Sequence, residues 1–119
     1  MITTVLQVAL GGAIGAVARL FVGISVTFPY GTLSVNIVGS FLIGLAFVAL
    51  AQAEMVRWAP LLMTGILGGF TTFSAFSLDA FRLYETGRIV AAGGYVLASV
   101  GLSVLALIAG VIIMRSLQG

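Results

Sequence analysis

The sequence predicts an all-α integral membrane protein of four transmembrane helices, the third interrupted near Gly68–Thr72, on three observations. Its residues are 61% hydrophobic and 7% charged, against about 25% charged in soluble domains. So few polar groups do not cover a surface that faces water. Four apolar runs follow one another, each close to the roughly 20 residues that a helix needs to cross a bilayer core about 30 Å thick. The third run holds "GILGGFTTFSAFS", Gly65 to Ser77, which sets paired glycines, threonines and serines where a membrane helix would ordinarily continue.

Turn residues and charges divide the 119-residue chain, read as a single domain, into its spans. The first covers about Thr3 to Gly23 with one charge, Arg19; the start lacks a basic leader and is read as a permanent span. "SVTFPYG" follows, where Pro29 and Gly31 mark a turn. The second, about Thr32 to Ala53, carries no charge, and the polar link after it places Trp58 at the interface. The third runs from about Ala59 to Ala80. "DAFRLYETGR" then crowds Asp79, Arg82, Glu85 and Arg88 into one connection, and the fourth covers about Ile89 to Met114. Both termini fall on one side. Arg57 and Arg115 belong to that side, Arg82 and Arg88 to the other, with Arg19 near the latter. Orientation normally follows a clear Lys/Arg excess; this balance leaves open both a chain with few charges to count and a chain that inserts both ways, giving antiparallel partners.

Composition excludes several functions. The net charge of +2 comes from five arginines against Glu54, Asp79 and Glu85, too few for a nucleic-acid footprint. With no cysteine there is no disulfide or thiolate metal site, and with no histidine the usual general base is missing. No nucleophile–base pair suggests an enzyme. Small residues spaced by four, Gly11/Gly15, Gly65/Gly69 and Ser99/Ser103, suit close helix packing in lipid.

The polar groups inside the spans are nearly all neutral donors. A glycine costs about 1 kcal/mol relative to alanine in a helix, so Gly68–Gly69 weakens the third span, and the hydroxyls of Thr71 and Thr72 suit backbone groups released by a break. Such a break either exposes carbonyls to a cation or amides to an anion, or is only a glycine-lined packing seam. At 100° per residue, Phe73, Phe76 and Ser77 share an arc of about 100°. Ring edges are positive, so the two phenylalanines suit an anion, although aromatic pairs at this spacing are also ordinary packing. Tyr95, Ser99 and Ser103 form a ladder on the fourth helix, Asn36 adds an amide, and Arg19 stands where it could set a positive potential at an entrance, although serines also bond to their own helix and a terminal arginine also snorkels to headgroups. Cation and proton-coupled pathways favour intramembrane carboxylates; Asp79, at the end of the third span, is the nearest. The residues point to a small anion conduit.

"GGAIGAVARL" (Gly11 to Leu20), "GTLSVNIVGSFLIG" (Gly31 to Gly44), "GILGGFTTFSAFS" and, more loosely, "YVLASVGLS" (Tyr95 to Ser103) resemble the helix signatures of the small fluoride channels called Fluc or CrcB, over essentially the whole chain. The resemblance implies a dual-topology antiparallel homodimer that exports fluoride passively, multi-pass in a plasma membrane such as the bacterial inner membrane. It implies fluoride pores lined by Asn36, Phe73, Phe76, Ser77, Tyr95, Ser99 and Ser103, with Arg19 in a vestibule or structural role. It also implies a structural sodium ion held by the backbone carbonyls of Gly68 and Thr71. Ala75 departs from the Ser/Thr common in that family. The competing readings are a proton-coupled small multidrug exchanger, which would carry a carboxylate deep in its first helix, and a non-conducting membrane assembly subunit.

Overall fold

The computed structural model describes residues 1–52 and 54–119, and within them four helical segments are long and apolar enough to cross a membrane: Ile2–Ser25, Tyr30–Ala49, Val56–Glu85 and Ile89–Gln118. The second helix stops short of the expected Ala53, itself outside the described residues. Its end is tightened by bonds from Leu50 N–H to the Ala46 carbonyl (2.8 Å) and from Ala51 N–H to that of Val48 (3.3 Å). The third segment outlasts the expected end at Ala80 and runs to Glu85. The reason is Asp79: its carboxylate turns inward, 8% exposed, and accepts a hydrogen bond from Tyr95, so this charge does not mark the membrane boundary.

The third span is a composite. A 3₁₀ turn, Val56–Trp58, leads into a π-helix, Pro60–Leu67, then one α-turn, Gly68–Phe70. Thr71 (φ −91°, ψ 158°) and Thr72 (φ −155°, ψ 126°) are extended, and an α-helix resumes over Phe73–Glu85. The interruption therefore exists, but the glycine pair is helical and the chain opens at the threonines. β-Branched side chains favour the extended backbone they adopt there. The N-terminal half of this span packs on the first helix and the C-terminal half on the fourth, while the second and fourth helices pack along one another.

Glycine sets the first of these contacts. A Cβ on Gly11 would approach Gly65 Cα to 2.8 Å, and one on Gly69 would approach the Gly12 carbonyl oxygen to 2.6 Å. Two of the small-residue pairs thus meet each other within one chain and let backbones touch, the form of helix packing that works in lipid. A second approach joins Gly44 to Gly110, where a Cβ on Gly110 would lie 3.0 Å from Leu45 N. The apolar core is small: Phe76, Leu83, Ala92 and Tyr95 cluster between the resumed third helix and the fourth. The molecule is a slab of 51 × 33 × 23 Å.

Candidate functional site

The interruption needs partners for its backbone, and residues far away in sequence supply them. Asn36 makes a two-bond clamp on Thr72: its Nδ2 donates to the Thr72 carbonyl (2.9 Å) and its Oδ1 accepts from Thr72 N–H (2.8 Å). Arg19 Nε donates to the Gly69 carbonyl (3.1 Å). Thr71 Oγ1 donates back to the Leu67 carbonyl (3.0 Å). Thr72 Oγ1 caps the resumed helix by accepting from Ala75 N–H (3.1 Å), relieving one of the unpaired donors at a helix start. Two of the N–H groups that would serve carbonyls before the break find other acceptors. The Thr72 N–H that would reach Gly68 turns to Asn36, and the Ala75 N–H that would reach Thr71 turns to Thr72.

Beside the break runs a groove of about 290 Å³ between the second helix, the third span and the fourth helix. Its walls bring together Asn36, Phe73, Phe76, Ser99 and Ser103 of the expected site, with Thr71 from the carbonyl pair. The rings of Phe73 and Phe76 meet edge to face, centroids 5.3 Å apart and planes at 68°, an arrangement aromatic quadrupoles favour. Phe76 is buried whereas Phe73 is 75% exposed, so one side of the groove is open. Among the described residues no charged side chain lines it. The hydroxyls of Ser99 and Ser103 are buried without a hydrogen-bond partner in the chain. Buried polar groups are rarely left so; both residues line the groove, and each hydroxyl keeps unused hydrogen-bonding capacity.

Other expected residues stand apart. Ser77 is exposed and its hydroxyl bonds back to the Phe73 carbonyl (2.9 Å), which removes it from the groove wall. Tyr95 sits beyond the groove, its ring 5.5 Å from that of Phe76 and its hydroxyl donating to Asp79 Oδ2 (3.3 Å). Arg19 faces a separate cavity of about 380 Å³ between the first two helices. Asn36 lines the groove, but its oxygen and one amide hydrogen serve Thr72, leaving one N–H free. Ser40 and Thr72 also line the groove. Ser40 was legible as the residue one turn beyond Asn36; Thr72 depended on where the helix opened. Among the described residues no group of three acidic, His or Cys side chains gathers as a metal site.

The model of the family described as "CrcB-like protein, Camphor Resistance (CrcB)" matches residues 6–111. The chain belongs to the CrcB family. The chain is 54% identical over 121 residues to a fluoride-specific ion channel FluC of Cereibacter sphaeroides, covering 97% of each chain. A fluoride-specific ion channel FluC of Rhizobium etli is 54% identical over 121 residues, with 94% of this chain and 96% of the relative covered. That of Paracoccus denitrificans is 54% identical over 119 residues, with 96% of both covered. This CrcB-family chain, with its four spans, is a multi-pass membrane protein.

Proposed function

We propose that this chain forms a fluoride-selective channel, built from two antiparallel copies in a bacterial plasma membrane, that lets fluoride leave the cell passively. The observation carrying it is the pair of unpartnered buried hydroxyls, Ser99 and Ser103, in a groove walled by Phe73 and Phe76 and, among the described residues, lined by no charge. The relatives named as fluoride-specific channels support the choice of ion. Fluoride is small and strongly hydrated, so a pore has to replace its water with several donors at short range while binding weakly enough to release it. Serine hydroxyls, the remaining Asn36 N–H and ring edges are donors without net charge. An arginine on the path would hold the ion; Arg19 is instead turned to the Gly69 carbonyl.

A groove open at Phe73 is half a conduit, and a second copy supplies the other wall. The near-even arginine balance across the two ends is compatible with opposite insertion of the two copies. The carbonyls of Gly68 and Thr71, whose helical N–H partners bond elsewhere, match the oxygen ligands that a hard monovalent cation takes. Two from each copy would hold a structural sodium ion, which supplies fixed positive charge near the break. Gly69, between them, is already engaged by Arg19.

Purified protein in liposomes should release fluoride, read with a fluoride electrode, and retain chloride. Fluoride efflux no faster than from protein-free liposomes would refute the reading. Phe76→Ile should reduce efflux at least several-fold without dissociating the dimer.

A further inference from the structure

A second feature lies at the opposite end from the termini, where the third span turns into the fourth helix. The resumed third helix ends in a two-bond C-cap: Gly87 N–H donates to the Tyr84 carbonyl (3.0 Å) and Arg88 N–H to that of Leu83 (2.9 Å). Gly87 takes φ +83°, the left-handed conformation this closure requires. Thr86 Oγ1 reinforces it with bonds to the Arg82 and Leu83 carbonyls (3.0 and 3.1 Å). The turn is thus ordered by its own backbone, and it holds Arg82 and Arg88 on the rim of one cavity of about 460 Å³, completed by Glu85, Thr86 and Phe28. Phe28 comes from the connection between the first two helices, so the cavity joins two loops at the same membrane face.

Three properties of this cavity describe its occupant. The rim has two guanidiniums and one carboxylate, a net positive charge. Those guanidiniums are unspent: of the five arginines, Arg19 alone donates a hydrogen bond from its side chain within the chain, among the described residues. Next to the rim, Phe81, Tyr84, Ile89 and Val90 are 55%, 59%, 62% and 90% exposed. Cationic forks matched to phosphate oxygens, beside apolar side chains at a membrane boundary, suit a molecule with an anionic head and hydrocarbon tails.

We propose that Arg82 and Arg88 bind the phosphodiester headgroup of a net-anionic phospholipid, with Phe28 and the apolar flank against its glycerol and upper acyl chains. The site is separate from the groove and does not depend on which ion the protein conducts. Glu85 sets the preference: it opposes a second negative charge, so the phosphodiester of phosphatidylglycerol is accepted while more highly charged heads are disfavoured. Each basic residue near an anionic surface is worth about fivefold in affinity.

The test is native mass spectrometry of the purified full chain in detergent with equimolar phosphatidylglycerol and phosphatidylcholine. Wild type should keep phosphatidylglycerol in preference to phosphatidylcholine. The double variant Arg82→Gln/Arg88→Gln should lose about 25-fold in phosphatidylglycerol retention, while Arg57→Gln/Arg115→Gln, at the other end, should keep it. Glu85→Gln should strengthen retention, and this gain decides the matter even if the double variant does not fold. Equal retention in wild type and the Arg82/Arg88 variant, weaker retention in Glu85→Gln, displacement by millimolar inorganic phosphate, or equal capture of phosphatidylcholine would each overturn the proposal.

Discussion

Replacing Asn36 with alanine removes both bonds of its clamp on Thr72, at 2.9 and 2.8 Å, and leaves a half-buried N–H and C=O without partners. A side-chain hydrogen bond between membrane helices is worth about 0.6 kcal/mol on average and up to about 1.7 kcal/mol, so the pair predicts a loss of roughly 1–3 kcal/mol. Asn36→Asp is the sharper probe. It keeps an acceptor for Thr72 N–H but sets a second oxygen against the Thr72 carbonyl, so it should be at least as destabilising as alanine. Unfolding in mixed micelles with increasing denaturing detergent measures the difference, and efflux from liposomes reads the function. Because the clamp holds the open backbone beside Phe73, both variants should also slow fluoride efflux by an order of magnitude or more. Loss of less than about 0.5 kcal/mol with normal efflux would refute the claim that this amide organises the break.

Ser99→Ala and Ser103→Ala should slow fluoride efflux yet leave stability unchanged or slightly raised, since neither hydroxyl has a partner to lose; the same titration separates the two effects. Gly15→Ala should destabilise by about 1–3 kcal/mol, because its Cβ would press on backbone atoms, among them Phe70 N at 2.7 Å. Gly93→Ala, with no atom within 4 Å, should not. If sodium occupies the Gly68 and Thr71 carbonyls, exchanging it for a large organic cation should lower the melting temperature, read by intrinsic fluorescence of Trp58. An unchanged melting temperature would count against that site.

What was legible in the sequence follows from lipid being a demanding solvent. Backbone groups must be satisfied within a helix, so four apolar runs read as four helices, and the one run studded with glycine and threonine reads as broken. Helix ends were less legible. Asp79 looks like a boundary until Tyr95 is seen to hold it inside. The π-helix over Pro60–Leu67, which lies against the first helix, had no sequence signal. Within the candidate site, the spacing of Phe73 and Phe76 places them on one face, as the groove wall shows, but an arc of 100° could not tell that Ser77 would bond back to its own helix. The role of Asn36 was hidden for a different reason: its partner lies 36 positions away. Only the folded chain brings an amide to the gap it closes.

The third span divides its loyalty, one half lying on the first helix and the other on the fourth. Within that span the two helical pieces are joined covalently only through Thr71 and Thr72, with the Asn36 amide as a crosslink from the side. A shift of one helical layer against the other is therefore concentrated at a two-residue joint. That joint also forms part of the groove wall, so any such shift would reshape the groove at the same pair of threonines.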